Sequence, residues 1–275
     1  MKLQIHTPTD PLRSFVKSII LYEGYTGSHR FEMLLPDGNL QLVIALDDRP
    51  RAIYGGAGKP DRALKQAWLT GLQMQPVIYH SEQNASTLVI QFEVGGLFAL
   101  TGMPASEFES AMIDASSVID CWLEELRDAL YHIPFVNRLQ YAEACLLDQL
   151  LKSQRDLNYS RPVGAVWYAV QALYQNHSSL SIISDSVNYS QKRLIELFKL
   201  HVGVSPKRYA RLLRFSRALQ HVTGGENLSE IAHQLGYYDQ AHMSNEFRSF
   251  AAMTPAVYRQ SPRDYPHVLP TDTIM

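Results

Sequence analysis

The second half of the chain contains one helical unit written twice, and this duplication restricts the fold more than any other feature. Leu180–Ser186 reads as a short helix. Val187-Asn188-Tyr189-Ser190 follows as a tight turn, in which Asn188 tolerates positive φ and Ser190 is a good N-cap. Leu194, Leu197-Phe198 and Val202 then stripe a second helix that ends at Gly203. The grammar returns with Leu228–Leu235, the turn residue Gly236, the cap Asp239, and a helix over Gln240–Phe250 with Met243, Phe247 and Phe250 inward. Each copy closes on [Ser/Thr]-Pro-x-x-Tyr, as Ser205-Pro206-Lys207-Arg208-Tyr209 and Thr254-Pro255-Ala256-Val257-Tyr258. Phe198 and Phe247 each precede the proline by eight residues. Any small helical pair imitates one such unit, but matched anchors in two copies are hard to obtain by chance. A longer helix, Lys207–Val222, joins the copies, with Leu212-Leu213, Leu219 and Val222 inward and Arg208, Arg211, Arg214 and Arg217 recurring every three residues. An earlier helix carries the stripe Val163, Val166-Trp167, Val170 and Leu173-Tyr174.

The charge divides the chain at the same place. Residues 1–160 hold 13 Lys+Arg against 19 Asp+Glu, a net of -6, whereas residues 161–275 hold 12 against 8, a net of +4. Between 190 and 217, Lys192, Arg193, Lys199, Lys207 and the four arginines face one acid, Glu196. A basic half built from small capped helices points to a polyanionic partner.

The acidic half reads as strands followed by helices. Ser14–Tyr25 is a buried strand, Leu35-Pro36-Asp37-Gly38-Asn39 a turn, and Leu40, Leu42, Ile44 and Leu46 share one parity. Ala67–Leu72, Val77–His80 and Thr87–Val94 are further strands, the last with Leu88, Ile90, Phe92 and Val94 inward. This spacing predicts an antiparallel sandwich or small barrel. From Gly95 the period becomes helical: short pieces at Gly96–Gly102 and Ser106–Phe108, a helix over Ile119–Tyr131, and another with Val136, Leu139, Ala142, Leu146 and Leu150 in its stripe. The polar stretch Ser153–Arg161 reads as a linker, which divides the chain into domains 1–157 and 158–275.

Other chemistries find little support. No apolar run approaches the ~20 residues needed to span a bilayer, and the N-terminus turns polar too early for a signal peptide. Cytoplasm is the simplest compartment. Cys121 and Cys145 read as two buried thiols, not a disulfide framework. His6, His29, His80 and His132 form no HxH or HxxxH pair, so no metal and no cofactor is expected. No nucleophile-elbow motif occurs, so the chain reads as a non-enzyme. Gly55-Gly56-Ala57-Gly58-Lys59-Pro60 lacks phosphate-loop spacing, and the tail from Ser261 reads as an irregular end.

Residues 163–260 resemble the DNA-binding domain of the AraC/XylS family of bacterial transcription regulators. The second unit carries the resemblance best, through Ile231-Ala232-His233-Gln234-Leu235-Gly236-Tyr237-Tyr238-Asp239-Gln240-Ala241-His242, then Phe247, Pro255 and Tyr258-Arg259. The first matches through Ser190, Leu194, Phe198, Gly203, Ser205-Pro206 and Tyr209. Phe31-Glu32-Met33-Leu34-Leu35-Pro36-Asp37-Gly38-Asn39-Leu40 is similar to a recurring opening of the domain that precedes this module in some members.

The resemblance implies an α+β chain: an N-terminal antiparallel, cupin-like β-sandwich with following helices, then an all-α domain with two helix-turn-helix units. It implies double-stranded DNA as partner, a small-molecule effector in the β-domain and a homodimer, for which the 136–152 stripe offers a seam; packing onto its own β-domain is the other reading of that stripe. Base-contacting positions carry over to Lys192, Ile195 and Glu196, and to Gln240, Ala241, His242 and Asn245. Lys192 suits guanine, Ile195 a thymine methyl, and Gln240 and Asn245 adenine. Glu196 either accepts from cytosine or pairs with a nearby arginine. His242 has a capping or phosphate role as its other reading. Ser190, Lys199, Lys207, Arg208, Arg211 and Arg248 are the expected phosphate contacts. Within the β-domain, Tyr22, Tyr25, Trp68, Tyr79 and Phe92 are the candidate effector-lining residues, plain core being the alternative. The competing functional class is a ligand-binding or catalytic β-domain with a helical protein-interaction module.

Overall fold

The structure, a computed structural model, describes residues 1–27, 29–54, 60–119, 121–153, 160–175, 179–263 and 265–271. The glycine-rich stretch 55–59 and most of the expected linker, 154–159, lie outside the described residues.

The strands are β1 (Lys2–His6), β2 (Val16–Tyr25), β3 (Phe31–Leu34), β4 (Gln41–Ala45), β5 (Arg51–Tyr54), β6 (Pro60–Leu64), β7 (Ala67–Thr70), β8 (Val77–His80), β9 (Ala85–Phe92), β10 (Met112–Asp114) and β11 (Val268–Thr271). They form a six-stranded sheet in the order β1-β2-β9-β4-β7-β10 and a five-stranded sheet in the order β11-β3-β8-β5-β6, with every pairing antiparallel. Strand β4 is buried on both faces, because period-2 alternation sends its residues to two different cores. Val43 and Ala45 join Trp68, Ile53 and Leu64 in a cluster where the two sheets meet. Leu42 and Ile44 belong instead to the larger cluster that includes Leu97, Leu123, Leu126, Leu130, Ala142 and Leu146 of the helices. Leu88, Ile90 and Phe92 of β9 are buried as predicted.

The helices that follow are α1 (Gly96–Thr101), α2 (Trp122–His132) and α3 (Phe135–Lys152). Arg127 of α2 donates to Ala45 O (3.0 Å) and pairs with Asp48 (2.9 Å), fixing α2 at the end of β4. Ala142 and Leu146 of α3 are fully buried in their own domain, so that part of the predicted stripe is occupied within the chain, while Val136, Tyr141 and Leu151 face solvent. The cysteines differ from expectation: Cys121 is exposed at the start of α2 and Cys145 is half-buried on α3.

The second domain comprises α4 (Ser160–Tyr174), α5 (Leu180–Ser186), α6 (Gln191–Val202), α7 (Pro206–Thr223), α8 (Leu228–Gln234), α9 (Gln240–Ala251) and α10 (Pro255–Gln260). Leu194, Leu197, Phe198, Leu212, Phe215, Leu219, Met243, Phe247, Phe250 and Tyr258 form its core. Phe215 of the connecting helix stacks on Phe250 (4.8 Å between centroids) and meets Phe247 edge-on (5.2 Å). On α4, Val166 and Val170 are buried as predicted, but Trp167 and Tyr174 are about half exposed (52% and 50%). Both sit at the lip of a cleft between the domains.

The tail also differs from the predicted irregular end. After α10, Tyr258 Oη donates to Pro266 O (2.8 Å) and Leu35 N donates to His267 O (2.8 Å). Val268–Thr271 then pairs with β3, so the second domain ends as an edge strand of the first. The cause is the open edge of β3, whose unpaired backbone groups take the returning chain.

No helix among the described residues is long and apolar enough to cross a membrane.

Candidate nucleic-acid interface

Helices α6 and α9, the expected recognition helices, are both set by their caps. Asn188 adopts φ 56° and Gly236 φ 73°, so each turn contains one left-handed residue. Ser190 Oγ accepts from Arg193 N (3.2 Å) at the start of α6, and Asp239 Oδ1 accepts from His242 N (2.7 Å) at the start of α9. Ser205 and Thr254 cap the two Pro-initiated helices in the same way.

The two units are not identical. Tyr189 N bonds Ser184 O (3.1 Å) and Tyr237 N bonds Ala232 O (2.9 Å), so these tyrosines correspond. The second turn then inserts Tyr238 before its cap. That side chain is 92% exposed at the head of α9. The insertion is legible in the sequence as three residues from Gly236 to Asp239 against two from Asn188 to Ser190.

On α6, Lys192, Glu196 and Lys199 are exposed and Ile195 is half-buried. Glu196 pairs with Arg193 at 3.3 Å, the second of its two expected roles. On α9, Gln240, Ala241, His242, Asn245 and Arg248 are all exposed along one helix. His242 Nδ1 lies 3.3 Å from Tyr238 N and accepts its proton, and the imidazole meets the Tyr237 ring edge-on (5.4 Å). That contact leaves Nε2 as the N–H that faces outward in the neutral ring.

The arginines of α7 are spent differently. Arg208 pairs with Glu109 of the first domain. Arg211 Nε donates to Glu246 (2.8 Å), and Arg214 donates to the same carboxylate from Nε (3.1 Å) and Nη2 (3.3 Å). Arg217 lies over the Tyr174 ring (4.5 Å). Glu246 is a buried residue of α9 (7% exposed), so two cations on the connecting helix clamp the second recognition helix from its inner side. Arg214 also covers the Tyr237 ring (4.6 Å), whose phenol is held protonated far above its usual range by burial and by Glu246. Lys207 remains exposed at the head of α7.

The first unit touches the β-domain. His201 of α6 is buried against Phe98 of α1 (5.6 Å, edge-on), and burial, then Arg193, bring its pKa down to about 4. Gly203, with φ 99°, approaches Ala105 so closely that a Cβ there would lie 2.9 Å from the Ala105 carbonyl.

In the β-domain the candidate effector residues divide. Tyr25 and Tyr79 (2.5 Å) both donate to Glu32, a carboxylate 2% exposed, joined by Ser81 Oγ (3.2 Å). Burial, then Glu32, pushes the Tyr79 phenol up, and burial does the same to Tyr22. Trp68 is buried between the sheets, and Phe92 stands apart at the interdomain cleft. The sequence signalled neither Glu32 nor Arg51, whose guanidinium pairs with Asp47 at 2.7 Å.

Comparison with known proteins agrees with this geometry. Residues 183–261 match the family described as a helix-turn-helix domain, and residues 4–114 match a domain of unknown function (DUF6597). The chain is similar to a lactose operon transcription activator of Staphylococcus xylosus, 33% identical over 87 residues covering 31% of each chain. It is also similar to the HTH-type transcriptional activator RhaS of Pectobacterium carotovorum, 28% identical over 128 residues covering 43% of this chain and 45% of that one. The chain thus spans less than half the length of these curated relatives. Among solved structures, unsaturated fatty acid bound ToxT from Vibrio cholerae aligns at 11% identity and TM-score 0.46, covering 88% of this chain and 94% of that one. Through residues 183–261 and its paired helix-turn-helix units, the second domain is similar to the helix-turn-helix domains of AraC-type transcription regulators such as RhaS.

Proposed function

We propose that the chain is a sequence-specific DNA-binding transcription regulator that reads two successive major-groove segments through α6 and α9. The observation that carries this reading is the clamp of Arg211 and Arg214 on Glu246, which fixes α9 to the helix that also carries α6. Two rigidly linked recognition helices suit half-sites one turn (~34 Å) apart on one DNA face. Gln240, Asn245 and Lys192 are the base readers, with Ile195, Ala241 and His242 beside them. Lys199, Lys207 and Arg248 are the free phosphate contacts, Ser190 adds its hydroxyl, and Arg208 and Arg211 contribute only what their carboxylate partners leave exposed.

The β-domain senses a small molecule in this reading, and the chain carries out no catalysis. It acts in the cytoplasm as a homodimer through the outward face of α3, where Val136, Tyr141 and Leu151 are exposed.

Selection of bound sites from random duplex DNA by the full-length protein, followed by a salt series on the winning site, tests the reading. The expected result is a defined two-part site and a linear fall of log affinity with log salt. Absence of duplex binding at low salt overturns it and leaves the helices as a protein-interaction module.

A further inference from the structure

A cleft between the β-domain and the second domain encloses about 360 Å³. That volume is within the ~300–1,000 Å³ of small-ligand pockets, and domain interfaces are a usual place for them. Its floor is apolar: Phe92 at the end of β9 faces Leu212 and Leu213 of α7. One wall is the α4 face carrying Trp167 and Tyr174, two turns apart and half exposed. These two aromatic rings, left half in water beside the apolar floor, make a surface shaped for contact.

The charge at the rim is acidic. Asp37 is already bonded to Asn39 and Gln41, and Lys17 to Asn39 Oδ1 (3.1 Å). Glu93 makes no ion pair and no side-chain hydrogen bond among the described residues, and it borders the cleft close to Tyr209. Burial, then Glu93 and Asp37, hold the Tyr209 phenol up at about 12, so it remains a neutral partner. His201, at the same cleft, is neutral above about pH 4 and adds no positive charge.

We propose that this cleft binds a small organic cation, an amine or quaternary ammonium ion on an aryl or alkyl body. The ammonium sits at Glu93, the face of Trp167 supplies cation–π contact, and the body covers Phe92 and Leu212 beside the Tyr174 ring, which Arg217 already covers from one side. An anion of the same shape meets two carboxylates and a lysine that is already engaged. Because β9 and α7 both line the site, its occupant ties the β-domain to the helix that joins the two recognition units. The link to DNA rests on the regulator reading; the binding itself does not.

The test uses the full-length protein with 2-phenylethylamine, phenyltrimethylammonium and the matched acid 3-phenylpropanoate. Binding is followed by calorimetry and by tryptophan fluorescence. Both cations bind saturably at one site and the acid does not. Glu93→Gln weakens the cations about tenfold or more, the loss of one charge-assisted contact. Trp167→Phe removes the fluorescence change, and Tyr174→Leu weakens binding without lowering the melting temperature of the free protein. Saturable binding of the acid in place of the cations, no binding of either cation at millimolar concentration, or cation affinity unchanged in Glu93→Gln overturns the proposal. A protein that binds cations but no duplex keeps this site and loses the regulator reading, and the converse result separates the two the other way.

Discussion

Arg211 and Glu246 meet across 35 residues of chain, the guanidinium Nε donating to a buried carboxylate at 2.8 Å. Arg214 reaches the same group, so one acid holds two helices in register. Glu246→Ala leaves two arginines without their acceptor and is expected to destabilise the protein by about 1–3 kcal/mol. Urea denaturation measures this. The variant also loses affinity for a two-part site while binding an isolated half-site as before, because the spacing between units is no longer fixed.

Base reading and phosphate contact separate by their response to salt. Gln240→Ala and Asn245→Ala relax sequence preference, each costing ~1–3 kcal/mol on the preferred site and little elsewhere. Lys207→Ala weakens every duplex alike and lowers the salt slope by about one. Titrations on specific and scrambled duplexes at several salt concentrations distinguish the two. Equal weakening on all sequences in the amide variants contradicts their assignment as readers.

With Arg208 proposed as a phosphate contact, its ion pair to Glu109 is expected to compete with DNA. The pair is partly exposed, with 43% of the arginine and 33% of the glutamate side chain accessible, so it is weak. Glu109→Gln frees the guanidinium for phosphate and raises duplex affinity a few-fold at low salt, roughly the ~0.2–1 kcal/mol of an exposed pair. The gain disappears at high salt. An unchanged affinity at low salt excludes the competition.

His201 makes the domain contact sensitive to acid. Its folded pKa of about 4 lies below the ordinary 6.5, so the unfolded chain binds the extra proton first as pH falls. Stability from this site is complete above pH 6.5 and is lost progressively down to pH 4, on the order of 3 kcal/mol in all. Chemical denaturation of the protein at pH 7 and pH 4.5 shows this drop, and His201→Gln shows a smaller one. Equal drops in both proteins would assign the acid sensitivity elsewhere.

Much of the architecture was legible because it is periodic or local. The Leu194–Phe198 and Met243–Phe247 stripes, the caps Ser190 and Asp239, and the alternation of β9 each arise from neighbours a few residues apart. What escaped is pairwise and distant. The burial of Glu246 on α9 depends on Arg211 and Arg214, which come from 35 and 32 residues earlier in the chain. Nothing local marks Glu32 as buried, yet Tyr25 and Tyr79 both donate to it. Trp167 and Tyr174 share the apolar spacing of α4, and only the position of the β-domain shows that no core covers them. The insertion of Tyr238 was visible in the spacing, but matched anchors at Phe198 and Phe247 conceal a turn that is longer by one.

Strand β11 also sets an order of events during synthesis. The edge of β3 has no covering strand until the ribosome has delivered both helix-turn-helix units and then residues 268–271. Of the two domains described, the one made earlier is therefore closed later, and its sheet edge stays open while both helix-turn-helix units are synthesised.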